Sequence, residues 1–216
     1  MAELVGLRWG PASKGTVRQL VVLCHGVGAD GHDLIDLAPT WSRALPDALF
    51  VAPDAPQPYD QGPTGRQWFS LQDRTPAVLD AAARQAAPSL LAYVDAELAQ
   101  AGLPPDAVAL MGFSQGAMMV LHAGLRRRPS PRGIMAYSGA LLDIPGLAAE
   151  CAGHPPVLLV HGQQDDVVPF TRAGAAESAL VRLGMPVQTL WCPNLGHGID
   201  DAGLSAGALF LQRLFA

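Results

Sequence analysis

The chain has 216 residues, half of them hydrophobic, and a formal net charge of −5 at pH 7. This length can bury a sizeable core, and we expect one domain spanning residues 1–216. The acidic balance argues against nucleic acid or an anionic membrane surface as a partner, because both require concentrated Lys and Arg. No basic segment followed by an apolar one opens the chain, and no apolar run is long enough to span a membrane.

The cysteines and histidines indicate neither a disulfide framework nor a metal site. Cys24, Cys151 and Cys192 are an odd, sparse set without C-x-x-C spacing, which favours a reducing compartment. No H-E-x-x-H or comparable ligand spacing occurs, so we expect no metal and no cofactor. We therefore expect a cytoplasmic protein without stable membrane insertion, either a monomer or a homodimer.

Strands and helices are predicted to alternate through the first half of the chain. The predicted strands cover residues 4–9, 17–24 and 48–52, with a helix within 32–45 and an irregular Pro- and Gly-rich loop over 53–65. Apolar residues that recur every three or four positions predict a longer helix over 75–100. Pro88 should kink or divide that helix, because it removes a backbone donor and crowds the preceding turn.

The second half continues the alternation. A strand that begins near Ala107 leads into a strongly apolar helix, and the Arg126-Arg127-Arg128 run after it is predicted to lie on a solvated face, where it complements the helix dipole. Further strands are predicted at 133–137, 156–160 and 187–191, and helices at 171–183 and 202–215. Continuous apolar strands separated by helices predict the α/β class, with a mostly parallel sheet of about seven strands and helices on both faces.

The segment 112–116 reads Gly-Phe-Ser-Gln-Gly, a G-x-S-x-G pattern between a predicted buried strand and a predicted buried helix. This strand–turn–helix context is what a nucleophile elbow requires. Ser114 would then stand at the end of the strand in a strained backbone conformation. Gly112 and Gly116 would remove the side chains that otherwise collide in so tight a turn.

A serine nucleophile needs a base and an orienting acid from the same edge of the sheet. The loops that follow parallel strands converge at that edge, and His197 lies in the last of them. Asp165 and Asp166 both lie in the loop after the preceding strand, so either could supply the acid. The order Ser, Asp, His is that of α/β-hydrolases. His25 and His161 each end a strand before glycine and are predicted to fix loop geometry.

Acyl transfer also needs donors for the oxyanion of the transition state. The backbone amide of Gln115, directly after the nucleophile, is one candidate. The amide of Val27, in the glycine-rich loop after an earlier strand, is the second. Because backbone groups would do this work, we expect the side chains at both positions to tolerate substitution better than Ser114 or His197.

Five blocks, HGVGADGHD, GRQWFS, GFSQGA, HGQQDDVVP and LGHGID, together resemble the phospholipase/carboxylesterase family of α/β-hydrolases, in its bacterial carboxylesterase branch, which is related to acyl-protein thioesterases. The resemblance covers nearly the whole chain and implies the α/β-hydrolase fold. It also implies that Asp165, rather than its neighbour, is the acid. Trp68 and Phe69 would lie at the substrate cleft, and we predict substrate contacts for Phe113 and Val168 as well.

These features predict a serine carboxylesterase that hydrolyses small-molecule esters of short to medium acyl chains through an acyl-enzyme. No long amphipathic lid is visible in the sequence, which favours shorter acyl groups over long ones. The first alternative is an acyl-protein thioesterase or lysophospholipase that acts on long acyl chains. The second is a non-catalytic protein that uses the same cleft to bind an acyl or hydrophobic ligand.

Overall fold

The computed structural model of the protein describes residues 4–216. In chain order its elements are β1 (Gly6–Trp9), β2 (Gln19–Cys24), α1 (Gly31–Ile35), α2 (Ala38–Trp41), β3 (Ala48–Pro53), β4 (Gln57–Pro58), β5 (Arg66–Gln67), α3 (Pro76–Gln100), β6 (Val108–Phe113), α4 (Gln115–Gly124), β7 (Gly133–Tyr137), α5 (Ile144–Glu150), β8 (Val157–Gly162), α6 (Phe170–Arg182), β9 (Val187–Cys192) and α7 (Asp201–Leu214).

Seven of the strands form one sheet in the order β1-β3-β2-β6-β7-β8-β9. β1 pairs with β3 in antiparallel orientation, and every other neighbouring pair in this sheet is parallel. β4 and β5 form a separate two-stranded antiparallel ribbon. The predicted α/β class, with a mostly parallel sheet of about seven strands, is confirmed.

Helices cover both faces of the sheet, which explains why its central strands are almost continuously apolar. Leu20 and Val22 of β2 face the core layer that contains buried residues of α3, α4, α5 and α6. Val21 and Leu23 face the opposite layer, which is formed by α1, α2 and α7. Successive side chains of a strand point to opposite faces, so a strand covered on both sides needs hydrophobic residues without alternation.

The structure differs from the sequence-based expectation in several short elements. The helix expected within 32–45 is two short helices, α1 and α2. Pro39 lies in the first turn of α2, where its missing N–H costs no hydrogen bond, whereas inside a longer helix it would break the ladder. The loop expected over 53–65 includes β4, and the short helix α5 was not predicted from the sequence.

Of the two effects predicted for Pro88, a kink or a division of the long helix, the division does not occur. α3 runs without interruption over 25 residues with Pro88 inside it. The proline ring is exposed, so it crowds no neighbouring element, and water can hydrogen-bond the carbonyl that loses its helical donor.

The predicted solvated face for the three arginines is also wrong for two of them. The side chain of Arg126 is only 12% exposed and pairs with Asp143 at 2.8 Å. The side chain of Arg127 is 4% exposed and pairs with Asp95 at 2.7 Å. Only Arg128 is exposed. Two of the three arginines therefore tie the end of α4 to carboxylates from other parts of the chain.

No helix within residues 4–216 combines the length and the hydrophobicity needed to cross a membrane.

Candidate active site

Four loops that leave the carboxyl ends of strands meet at one edge of the sheet. Residues 25–28 follow β2, and Ser114 follows β6, its neighbour in the sheet. Asp165 follows β8, and His197 lies between β9 and α7. The edge of a parallel sheet therefore gathers residues that are up to about 170 positions apart in the sequence.

Ser114 lies in the tight turn between β6 and α4. Its φ of 54° and ψ of −117° are unusual for a residue with a side chain, and such strain typically costs about 1–3 kcal/mol. A Cβ atom at Gly112 would overlap the carbonyl of Gly116, and one at Gly116 would overlap the carbonyl of Cys24. Only glycine fits at these two sites, so the turn has the backbone geometry of a nucleophile elbow.

Asp165 and His197 form a hydrogen-bonded pair. The Nδ1 atom of His197 lies 2.8 Å from Oδ2 of Asp165, whose side chain has no exposed surface. The other carboxylate oxygen accepts the backbone N–H groups of Val167 and Val168 at 2.9 Å and 2.8 Å. The carboxylate is thereby held in one orientation, and a hydrogen on Nδ1 leaves Nε2 of His197 as the nitrogen that can accept a proton.

His161 adds a second histidine contact to the same carboxylate. Its Nε2 atom lies 2.8 Å from the carbonyl oxygen of Val168 and 3.2 Å from Oδ2 of Asp165. Because both neighbours are acceptors, Nε2 must carry the hydrogen. Asp166, the other candidate acid, is exposed and forms no hydrogen bond or ion pair with any described side chain. The geometry thus joins His197 to Asp165 rather than to Asp166.

Phe113, the residue before Ser114, contacts His197 of this pair. The rings of Phe113 and His197 pack with their centroids 4.9 Å apart. Within residues 4–216, no hydrogen bond joins Ser114 to His197. Bonds between a nucleophile and its base are often long without substrate and tighten only in the substrate complex, so this arrangement remains compatible with proton transfer.

The loop of residues 25–28 packs directly against the serine. A Cβ atom at Gly26 would lie 3.3 Å from Cβ of Ser114. The neighbouring His25 accepts the backbone N–H of Ala55 at Nε2, so its Nδ1 carries the hydrogen and donates to the Gly26 carbonyl at 2.7 Å. Burial lowers the pKa of His25, which favours this neutral form. His25 therefore fixes the loop beside the serine, as the sequence analysis expected.

Two backbone amides are available at this point. Val27 and Gln115 line the same cavity as Ser114. In the described part of the chain, neither backbone N–H donates to a protein acceptor. Gln115 is also the first residue of α4, where N–H groups have no partner within the helix. Free donors at a helix N-terminus favour a nearby negative charge.

The side chain of Gln115 has a structural role that the sequence analysis missed. It is fully buried, its Oε1 accepts the N–H of Trp68 at 2.9 Å, and its Nε2 donates to the carbonyl of Phe69 at 2.7 Å. The indole of Trp68 in turn donates to the carbonyl of His25 at 3.0 Å. The side chain at 115 therefore satisfies two buried backbone groups, so its substitution should lower the stability of the fold even though the oxyanion donor is its backbone amide.

We expect Gln115→Met to lower the free energy of unfolding by about 2–5 kcal/mol, because each buried polar group left without a partner costs about 1–3 kcal/mol. Methionine matches the length of glutamine but replaces neither hydrogen bond. Equilibrium denaturation in urea measures the change. Gln212→Met on the exposed face of α7 is the matched control and should change stability by less than about 0.5 kcal/mol. Equal stability of the two variants would contradict the role of Gln115.

The cavity beside Ser114 has a volume of about 250 Å³. Its wall includes Val168 but not Phe113, which packs on His197 instead. Trp68 and Phe69, which the resemblance placed at the substrate cleft, are not among the residues that line this cavity. Both side chains are at most 2% exposed and lie in the core behind the site, because the backbone between them is bonded to Gln115.

Comparisons with known proteins show the family of the chain. The model of the Phospholipase/Carboxylesterase family matches residues 11–215. The chain is 32% identical over 187 residues to the esterase YpfH of Escherichia coli K12, which covers 87% of this chain and 79% of that protein. It is 31% identical over 204 residues to acyl-protein thioesterase 1 of Schizosaccharomyces pombe, with 90% of each chain covered.

Solved structures show the same fold. The crystal structure of esterase PE8 superimposes with a TM-score of 0.93 at 41% identity and covers 99% of this chain and 100% of that one. Arabidopsis thaliana SOBER1 superimposes with a TM-score of 0.82 at 25% identity and covers 93% of this chain and 100% of that one. The fold is the α/β-hydrolase fold, and the chain belongs to the phospholipase/carboxylesterase family of serine hydrolases.

Proposed function

We propose that this serine hydrolase is a carboxylesterase that cleaves esters of short to medium acyl chains through an acyl-enzyme. Ser114 is the nucleophile, His197 the general base and acid, and Asp165 the residue that orients His197. The observation that carries the proposal is the hydrogen bond between buried Asp165 and His197 at the same sheet edge as a serine in a strained elbow.

The reaction follows from these positions. The Ser114 oxygen attacks the ester carbonyl carbon while His197 Nε2 takes the serine proton. The tetrahedral oxyanion accepts hydrogen bonds from the amides of Val27 and Gln115, each worth about 3 kcal/mol in the barrier. When the intermediate collapses, the carbon–oxygen bond to the alcohol breaks and His197 protonates the leaving alcohol.

The second half of the reaction repeats these steps with water. His197 takes a proton from water as the water oxygen attacks the acyl carbon. Collapse of the second intermediate breaks the bond to Ser114 and returns the proton to its oxygen, so the carboxylic acid leaves and the free enzyme is restored. Throughout, the carboxylate of Asp165 stabilises the positive imidazolium of His197 while its other oxygen remains bonded to two backbone amides.

The size of the cavity supports short to medium acyl groups. Its 250 Å³ lies below the range of about 300–1,000 Å³ that is typical of small-molecule sites. The wall is largely apolar, with Leu71, Leu79, Met118 and Leu142 among its members. An acyl chain of a few methylenes would therefore fill it.

We expect kcat/KM for 4-nitrophenyl esters to rise by about fourfold per methylene from acetate until the cavity is full, because each buried methylene contributes about 0.8 kcal/mol. The maximum should fall between butyrate and octanoate, with a decline toward palmitate. Initial rates below KM along the acetate-to-palmitate series measure this profile. Activity that increases up to palmitate would contradict the proposed acyl range.

The second candidate is an acyl-protein thioesterase with long-chain substrates, which the similarity to the Schizosaccharomyces pombe thioesterase favours. Oxygen esters and thioesters with the same acyl group distinguish the two. A carboxylesterase should hydrolyse butyryl and octanoyl oxygen esters efficiently, whereas a dedicated thioesterase should act mainly on palmitoyl thioesters. The Ser114→Ala variant provides the blank for spontaneous thioester hydrolysis.

A further inference from the structure

The residues that line the cavity beside Ser114 include two charged side chains, and both are arginines. Arg74 lies just before α3, and Arg172 lies in the first turn of α6. Both side chains are exposed, so their guanidinium groups are at the mouth of the cavity rather than at its base. No acidic residue lines the cavity with them.

Neither arginine has a carboxylate partner among the described residues. Arg74 donates only to the carbonyl of Leu71 at 3.3 Å, and the guanidinium of Arg172 forms no hydrogen bond with the described protein. The nearest acids in the sequence are not paired with them. Asp73 accepts the N–H of Thr75 at 2.8 Å, and neither Asp166 nor Glu177 forms an ion pair. Apart from Nε of Arg74, the guanidinium donors of both arginines are therefore free for a ligand.

This local positive charge contrasts with the molecule as a whole. The chain carries 19 acidic and 14 basic residues, and its net charge is −5. Arg84, Arg126 and Arg127 are each paired with carboxylates, whereas the two arginines at the cavity mouth are not. The charge at the mouth thus has the opposite sign to the average surface, which favours an anionic group there.

The wall between the mouth and the serine is apolar. Leu71 and Leu79 come from the same segment of the chain as Arg74, and Val168 comes from the loop before Arg172. A ligand that satisfies the whole site would place an ester carbonyl at Ser114, a short apolar segment along this wall and an anion at the mouth. Guanidinium groups bind carboxylates and phosphates through two parallel hydrogen bonds, which gives such recognition a defined geometry.

We propose that the enzyme selects esters that carry a second, anionic group, a carboxylate or a phosphate, which Arg74 and Arg172 bind while an apolar spacer fills the cavity. The proposal rests on the proposed function, because it assumes that the ester is cleaved at Ser114. It specifies the substrate class more closely than acyl length does.

Matched substrates test this preference. 4-Nitrophenyl hydrogen adipate carries a carboxylate at the end of its acyl chain, and methyl 4-nitrophenyl adipate is its neutral match. 3-(Butanoyloxy)benzoate carries the carboxylate on the leaving group, and its methyl ester is the neutral match. We expect the anionic member of at least one pair to have a kcat/KM about tenfold higher, mainly through KM, as two partly exposed charge-assisted contacts would give. The pair that shows the preference identifies which side of the ester faces the arginines.

The Arg74→Gln/Arg172→Gln double variant should remove this preference, and added salt should weaken it in the wild-type enzyme. Arg182→Gln is the matched control, because Arg182 is exposed on the same helix as Arg172 but does not line the cavity. That control should keep the wild-type ratio. The Arg74→Lys/Arg172→Lys double variant keeps the charge but cannot form the paired hydrogen bonds of a guanidinium group. It should retain part of the anionic preference.

Two results would overturn the proposal while the proposed function stands. One is equal kcat/KM within both substrate pairs in a wild-type enzyme that hydrolyses the neutral esters. The other is an anionic preference that persists in the glutamine double variant. If the wild-type enzyme hydrolyses none of the four esters faster than the Ser114→Ala variant does, the proposed function is overturned, and this proposal with it.

Discussion

Replacing Ser114 with alanine should lower kcat/KM for 4-nitrophenyl butyrate by about 10⁴- to 10⁶-fold, because no other hydroxyl can form the acyl-enzyme. The oxyanion amides and the Asp165–His197 pair would remain, so a small residual rate above that in water is expected. The measurement is steady-state hydrolysis by purified variant at enzyme concentrations high enough to detect that residual rate.

Two controls make the result specific. Ser205→Ala changes an exposed serine on α7 and should leave the rate within about twofold of wild type. A fluorophosphonate probe should label the wild-type protein at Ser114, as located by mass spectrometry, and should not label the alanine variant. An unchanged rate in Ser114→Ala would contradict the assignment of the nucleophile. The absence of labelling in the wild type would favour the alternative of a non-catalytic binding protein.

The second large effect is expected at the acid. Asp165→Asn should lower kcat by about 10³- to 10⁴-fold, because an amide cannot stabilise the imidazolium and allows the unproductive tautomer of His197. The geometry predicts a loss mainly in kcat, since the carboxylate is fully buried and lies outside the cavity wall. Steady-state kinetics on butyrate and acetate esters measure both constants.

Asp166→Asn is the matched control for that variant. The Asp166 carboxylate is exposed and forms no hydrogen bond with a described side chain. The kcat of the variant should therefore remain within about twofold of wild type. Urea denaturation of both variants separates a loss of catalysis from a loss of folding, because Asp165 also accepts two backbone amides. A greater loss in Asp166→Asn would transfer the orienting role to that residue.

The backbone of the site was predictable from the sequence because its signal is local. The G-x-S-x-G pattern fell between an apolar strand and an apolar helix, and the structure places Ser114 between β6 and α4 with a positive φ. The approach of Asp165 to His197 could be expected because the loops of a parallel sheet converge at one edge. What decides between adjacent acids is the direction of a side chain, and the residues themselves left Asp165 and Asp166 open.

The contacts that the sequence did not predict join groups with no local signal. Gln115 binds a backbone N–H and a backbone carbonyl from a distant loop, and any residue presents those groups. Arg126 and Arg127 look like a solvated run until the tertiary structure brings carboxylates to them. Trp68 and Phe69 follow a loop rich in proline and glycine, and no pattern around them indicates that Gln115 binds their backbone and that their side chains are buried.

The backbone of Gly116 lies directly against the carbonyl of Cys24, so the residues that set the substrate range can change without moving the groups that carry out the chemistry. The spacing between the elbow and the loop with Val27 is set where two backbones touch, without any side chain between them. Substitutions at Leu71 or Met118 can therefore reshape the cavity while the serine and the amides keep their relative positions. A library that varies only such wall residues should yield esterases with new acyl preferences and largely preserved turnover.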